Sequence, residues 1–305
     1  EGLRFLSQRG RGSIAERNAK LILMVGVLGV SASAILVRFS QAPSGVTAAY
    51  RLGWTVLLLL PVVLLRCRAE LRRVTARDLV LCGASGVLLA LHFLTWFESL
   101  KRTSVASSTV LVSTEVIFTA LGFALFLHGK IPRLGVWAIL LAFGGSALLA
   151  LSGGGGAGEL SGNLLALAAA SAAAVYTLIG RIQRGHLSTT VYTFLTYLAC
   201  FLTLLLGTAA AGTPLTGYGG REWLIGLALA VLCTLLGHSL FSWCLKYLSP
   251  SYVSAAKLCE PVRPSLAAIP LFGEVPGPLQ LAGGAAVLGA VLLYTWAERE
   301  KTPAG

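Results

Sequence analysis

Two glutamates of this sequence lie deep inside apolar segments. Glu115 follows ten residues of an apolar run over 105–127, and Glu260 follows eight residues of a run over 252–272. At the helical rise of 1.5 Å per residue, these positions are about 15 Å and about 12 Å from the start of each run. A charge at bilayer depth costs at least ~2.5–3.5 kcal/mol, so it usually faces a wet cavity or a partner. We expect both carboxylates to bind a solute or a proton; a structural ion pair, or a protonated acid bonded to backbone, is the alternative.

A second group of charges surrounds Glu260. Lys257, Glu260 and Arg263 are spaced three apart, so on a helix they spread over about 120° of one face. One base can pair with Glu260, which leaves a positive charge for a carboxylate or phosphate of a solute; a closed salt-bridge network is the alternative. Pro261 and Pro264 are expected to interrupt the helix here, as in the broken helices of transport sites, or simply to kink it.

Two histidines and two aromatic residues complete the candidate site. His92 shares a helical face with Trp96, and His238 lies in an apolar run of the second half of the chain. Histidine titrates near neutral pH, which suits a proton carrier; a hydrogen-bonded packing role is the alternative. Trp96 and Tyr176 are expected to wall the site, unless they belong to an interfacial aromatic belt.

Motifs of enzymatic chemistry are absent from the sequence, which has no HExxH, GxSxG, P-loop or dinucleotide fingerprint. The glycine run over 153–156 lacks the lysine and the following strand that a phosphate-binding loop needs. We therefore expect no cofactor, no metal and no ATP-driven step. An integral membrane enzyme that uses Glu115, Glu260 and the histidines as acids and bases is the alternative of another class.

The elements that position these residues are expected to lie in a bilayer. Of the 305 residues, 56% are hydrophobic and 12% are charged, and the mean hydropathy is +0.80. Soluble domains carry about 25% charged residues, so a water-soluble fold would leave most of this surface apolar. The charges that give the net charge of +12 lie almost entirely in short gaps between apolar runs. That pattern indicates membrane topology signals rather than a nucleic-acid-binding surface.

Ten apolar runs approach the ~20 residues that cross a bilayer. They cover about 21–37, 46–65, 79–100, 105–127, 134–151, 164–182, 191–211, 223–245, 252–272 and 279–296. A polar segment precedes the first run, and no cleaved signal peptide is expected there. A glycine-rich gap over 152–158 separates the fifth run from the sixth.

Positive charge orients these runs. With a cytoplasmic N-terminus, 17 of the 24 Lys and Arg residues fall on the inside, five on the outside, and Lys257 and Arg263 within a run. The five outside charges are Arg38, Arg51, Lys101, Arg102 and Arg221. Because cytoplasmic loops are enriched in Lys and Arg, both termini are predicted to be cytoplasmic. The chain is predicted to be a multi-pass protein of the inner or plasma membrane.

The two halves of the chain resemble each other at an offset of about 145 residues. The matching pairs are His92 with His238, Glu115 with Glu260, Gly145 with Gly289, Arg38 with Arg181, and Gly129-Lys130-Ile131-Pro132 with Gly273-Glu274-Val275-Pro276. Five spans is an odd number, so the second half must enter the membrane inverted relative to the first. Inverted repeats are typical of transporters, with the substrate site near the midplane between the halves.

Three short motifs carry a family resemblance: Tyr50-Arg51, Glu260-Pro261-Val262 and Gly273-Glu274. With the two five-helix repeats, they resemble the EamA-type members of the drug/metabolite transporter superfamily over about residues 19–298. The resemblance implies that helices 1–4 and 6–9 surround a central cavity, with helices 5 and 10 packed behind it. The first half departs from the family pattern, because Lys130 replaces the usual Gly-Glu and no proline follows Glu115.

We therefore predict an all-α membrane protein with ten transmembrane helices as two inverted five-helix repeats. The segments are a cytosolic tail over 1–18, repeats over 19–152 and 162–298, a linker over 153–161 and a tail over 299–305. The predicted function is secondary transport, exporting or exchanging small polar, amino-acid-like metabolites. An antiporter of organic anions or phosphate esters, using Lys257 and Arg263, is the alternative. The expected partners are a small-molecule substrate, the lipid bilayer and a coupling proton, without nucleic acid, in a monomer or homodimer.

Overall fold

The computed structural model describes residues 2–126, 131–152, 157–183, 187–238, 240 and 261–299, and within these the chain is helical without strands. The α-helices are α1 Gly2–Phe39, α2 Ser44–Arg66, α3 Arg68–Leu71, α4 Ala76–Arg102, α5 Val105–Val112, α6 Glu115–Phe126, α7 Arg133–Ser152, α8 Ala157–Gln183, α9 Thr189–Ala210, α10 Gly220–Ala228, α11 Val262–Phe272 and α12 Pro278–Arg299. A π-helix over Leu229–His238 continues α10.

Seven helical segments of the described chain are long and apolar enough to cross a membrane. Three shorter apolar helices lie at Arg133–Leu149, Val262–Phe272 and Pro278–Tyr294. The chain is therefore an all-helical protein with several candidate membrane spans, while the count of ten stays a prediction. Helix α1 extends back to Gly2, through the residues predicted as a tail.

Large apolar side chains are exposed on the outside of the bundle, and small ones occupy the contact between two of its helices. Leu65 is 83% exposed and Trp137 is 68% exposed. By contrast, Ala166, Ala169 and Ala170 of α8 are completely buried, and α8 packs along α4. Without a hydrophobic driving force in lipid, helices associate through such small residues because their backbones can approach closely.

The last helices of the two halves, α7 and α12, pack against each other in opposite directions. A Cβ atom added at Gly145 would lie 2.9 Å from the carbonyl oxygen of Gly283. One added at Gly135 would lie 3.0 Å from the ring of Tyr294. The earlier residue of α7 thus contacts the later residue of α12, and the later residue of α7 contacts the earlier one, so the two helices are antiparallel.

The second helices of the halves, α2 and α9, show the same relation. A Cβ atom at Gly45 would lie 3.0 Å from Oγ1 of Thr208, and one at Gly53 would lie 3.0 Å from the ring of Phe201. These helices begin at Ser44 and Thr189, 145 residues apart. Equivalent helices thus run in opposite directions, and the inverted repeat is confirmed.

Candidate functional site

A break in the fourth apolar run positions Glu115. The run was predicted as one helix, but it divides into α5 and α6 at a turn formed by Ser113 and Thr114. The Ser113 hydroxyl donates to the carbonyl of Thr109 at 2.9 Å, and the Thr114 hydroxyl donates to that of Leu111 at 2.6 Å. Hydroxyls that bind backbone carbonyls in this way compete with the helix ladder. Glu115 consequently opens α6, where the helix dipole favours a carboxylate.

The Glu115 carboxylate joins α6 to α8. Its Oε1 atom accepts a hydrogen bond from the Thr177 hydroxyl at 2.9 Å. The adjacent Tyr176 lies within electrostatic reach of Glu115, of Tyr197 and of Cys200. Glu115 forms no ion pair with a described residue, so it is not the acid of a salt bridge within that part of the chain.

His92 and Trp96 lie on α4 and face α8. The Nδ1 atom of His92 lies 2.9 Å from the carbonyl oxygen of Ala169, and because a carbonyl only accepts, Nδ1 is the protonated nitrogen. The rings of His92 and Trp96 stack with centroids 5.8 Å apart. The indole Nε1 of Trp96 is buried without a partner among the described residues. Trp96 and Tyr176 belong to the same apolar cluster, so three predicted site residues face the α4–α8 interface.

The predicted charge cluster of the ninth run is described only in part. Lys257, Glu260 and the side chain of His238 lie outside the described residues. Arg263 is half-buried in α11, and its Nη1 atom is buried without a partner among the described residues. Pro261 is the N-cap of α11, and Pro264 lies in its first turn, where backbone N–H groups have no intrahelical partner to lose.

A buried cation that the sequence misplaced lies in α2. Arg51 was counted among the charges at the outside ends, but its side chain is completely buried. Its Nε donates to Thr234 Oγ1 at 2.9 Å and its Nη1 to Ser33 Oγ at 3.2 Å. Its Cζ lies 4.3 Å from the centroid of the Phe93 ring, a cation–π contact. Its position in the sequence could have indicated this burial, because Arg51 is the eighth residue of α2 and so lies about two turns inside the helix.

The π-helix that continues α10 presents Thr234 to this arginine. The Thr234 hydroxyl also lies 3.4 Å from the carbonyl oxygen of Leu229, five residues earlier. π-Helical turns are rare and occur frequently at functional sites. The widened turn lets one hydroxyl face both its own helix and the guanidinium.

A polar cluster joins four segments at one end of the bundle, which we call the Glu274 end. Arg38 of α1 pairs with Glu274 at 2.6 Å and donates to the carbonyl of Thr103 at 3.3 Å. The other oxygen of Glu274 accepts the backbone N–H of Val105, at the start of α5, at 2.8 Å. Gly273 ends α11 with a φ of 69°, in the left-handed region, and this conformation directs the chain to Glu274.

A cavity of about 290 Å³ opens beside this cluster. Its polar lining includes Ser104, Ser265, Glu274 and Gln280. The volume is at the lower end of the range for small-molecule pockets, roughly 300–1,000 Å³. It is not lined by the predicted site residues whose side chains the structure describes, which are Glu115, Arg263, His92, Trp96 and Tyr176.

Two inverted helical halves with buried polar groups between their helices are typical of membrane transporters. The chain belongs to the EamA-like transporter family, whose model matches residues 18–151 and 160–296. It is therefore a membrane transporter, and the predicted resemblance is confirmed.

Comparison with solved structures supports the fold. One crystal structure of a protein is 19% identical, with a TM-score of 0.60 over 94% of this chain and 99% of that one. At this identity the likeness concerns the fold alone. No curated protein matches the chain significantly.

Proposed function

We propose that this protein is a secondary transporter that exports or exchanges small polar, amino-acid-like metabolites by alternating access. Its ten spans would form two inverted repeats in the inner or plasma membrane, with both termini cytoplasmic. The observation that carries the proposal is family membership together with antiparallel equivalent helices. Inverted halves can exchange conformations around a fixed central site, which exposes that site to each side in turn.

The α4–α6–α8 region supports a polar solute at the centre. Glu115 begins a helix at the break between α5 and α6 and has only a hydroxyl as its described partner. Such a carboxylate suits the ammonium group of a solute or a coupling proton. Trp96 offers a buried N–H donor nearby on α4. His92 and Tyr176 complete the wall, and Lys257, Glu260 and His238 stay predicted members of it.

One observation favours the second candidate, an antiporter of organic anions or phosphate esters. The Nη1 atom of Arg263 is buried without a described partner. A guanidinium N–H in this state can donate to a carboxylate or phosphate oxygen of a bound anion. Arg263→Lys keeps the charge but loses the planar two-pronged contact. If Arg263 binds the anion, this variant reduces transport of a carboxylate while sparing the corresponding amide. Equal effects on both would remove Arg263 from recognition.

Membership of a transporter family favours transport over the alternative of an integral membrane enzyme. The proposed transport is tested by reconstituting the purified protein in vesicles. Proteoliposomes loaded with twenty unlabelled amino acids should accumulate at least one labelled amino acid faster than protein-free vesicles. Glu115→Gln should lower that rate at least tenfold, about 1.4 kcal/mol. Glu159→Gln is the matched control, because Glu159 also lies in the first turn of a helix; it should stay within twofold. No accumulation of any amino acid would refute the proposed substrate class.

A further inference from the structure

The buried guanidinium of Arg51 has hydrogen bonds but no counter-charge. Among the described residues, ion pairs join Arg38 to Glu274 and Arg102 to Glu98, and none involves Arg51. Two neutral hydroxyls and one aromatic ring surround it. Such neighbours satisfy hydrogen-bond donors, but they do not neutralise the positive charge. A charge buried in a low-dielectric interior usually pairs with an opposite charge.

One nitrogen of this guanidinium is unused. The Nη2 atom of Arg51 is buried and has no hydrogen-bond partner among the described residues. A buried donor without an acceptor is destabilising, and a ligand oxygen would satisfy it.

The fold itself does not require a charge at this position. The offset of 145 residues between the starts of α2 and α9 places Thr196 at the position equivalent to Arg51. Thr196 is also completely buried, and its Oγ1 atom has no described partner. The inverted repeat therefore places a neutral hydroxyl where the first half has a guanidinium, so a charge at this position is not common to both halves.

We propose that Arg51 binds the carboxylate of the transported solute, an inference that rests on the proposed function and names its substrate class as α-amino acids. A single free nitrogen and a single positive charge suit one carboxylate oxygen and one negative charge. A phosphate dianion would need a second cation.

The carboxylate of Glu115 accepts only from the Thr177 hydroxyl among the described residues and is the complementary contact for the ammonium of an α-amino acid. Arg51 lies against Phe93, and Thr177 follows Tyr176 in α8. Phe93 and Tyr176 belong to one apolar cluster, so both charges adjoin it. A zwitterion that reaches both leaves neither charge uncompensated.

The test measures binding separately from transport. The purified full-length protein is melted in detergent with 10 mM L-alanine, L-leucine, L-threonine or L-phenylalanine, and with the amide of each. We expect at least one amino acid to raise the melting temperature and its amide to bind at least tenfold more weakly. Arg51→Met keeps the contact with Phe93 but removes the charge, and it should abolish the preference. Arg102→Met is the matched control, because Arg102 lies outside the proposed site in an exposed pair with Glu98, and it should retain the preference.

Three outcomes would overturn the assignment. They are a wild-type protein stabilised by none of these amino acids, an Arg51→Met variant that keeps the carboxylate preference, and equal loss of the preference in the Arg102→Met control. Should Arg51→Met fail to fold, Arg51→Lys decides. The charge stays, but a single ammonium nitrogen cannot hold Thr234 and Ser33 and also reach the carboxylate as the three guanidinium nitrogens do. Affinity should therefore fall about tenfold, and unchanged affinity refutes the proposal.

Counterflow in vesicles distinguishes this inference from the proposed function. Vesicles that carry no amino acid, combined with Arg51-dependent binding, would refute transport of amino acids and leave the binding assignment intact. Vesicles in which Arg51→Met carries amino acids as fast as the wild type would refute the role of Arg51 and leave the proposed function intact.

Discussion

Replacing Glu274 by glutamine should loosen the end of the bundle where four segments meet. The two carboxylate oxygens have different partners: Oε1 accepts from Arg38 at 2.6 Å and Oε2 from the backbone N–H of Val105 at 2.8 Å. Glutamine has one acceptor oxygen and one NH₂ group, so one of these donors must face another donor. Glu274→Gln therefore loses at least one charge-assisted hydrogen bond.

The magnitude follows from the burial of this pair. The side chains of Arg38 and Glu274 are 27% and 18% exposed, so solvent screens them less than a surface pair. A hydrogen bond to a charged group contributes about 1.5–3 kcal/mol, which corresponds to roughly 10- to 150-fold in an equilibrium. If the cluster holds this end closed, the open population should rise by at least tenfold.

The assay is labelling of a cysteine placed at Ala268, which lines the cavity and is 1% exposed. On a cysteine-free background, Glu274→Gln should raise the rate of labelling by a membrane-impermeant thiosulfonate at least tenfold. Glu98→Gln is the control, because Glu98 pairs with Arg102 one helical turn away and their side chains are 35% and 46% exposed. Such pairs contribute about 0.3–0.5 kcal/mol, so that rate should change less than about threefold. Equal rates in the two variants would refute the argument.

Three further predictions concern packing, topology and the second-half acid. Gly86→Ala places a Cβ atom 2.5 Å from the facing helix, so overpacking should cost about 1–3 kcal/mol and lower the melting temperature; Gly83→Ala, with no atom within 4 Å, should not lower it. An introduced cysteine at Gly155 should be labelled only from outside and one at Arg72 only from inside; labelling of both from one side would contradict the predicted topology. Glu260→Gln should reduce transport at least tenfold, about 1.4 kcal/mol, in vesicles with normal protein content, and unchanged transport would make Glu260 a packing residue.

The inverted helical architecture was predictable from the sequence because it depends on properties that add along the chain. Run length and hydropathy decide which segments leave water, and a constant offset between the halves relates their helices. The predicted and observed starts of the second helix differ by only two residues, 46 against 44. They agree because the start of a helix depends mainly on the residues next to it in the sequence. The break before Glu115 was not predictable from run length and hydropathy, because these treat the run over 105–127 as one segment, whereas the turn depends on the hydroxyls of Ser113 and Thr114.

Only the tertiary structure decided which polar groups meet. Arg51 and Arg38 look alike in sequence, as single bases near the ends of neighbouring apolar runs, yet one is completely buried and the other is paired at an end of the bundle. Their partners Thr234 and Glu274 are 183 and 236 residues away in the chain. The sequence shows which side chains are charged, but the environment of each charge depends on helices that are distant in the chain and packed around it in space. In a membrane interior, that environment decides whether a charge is a topology signal, a structural clamp or a binding site.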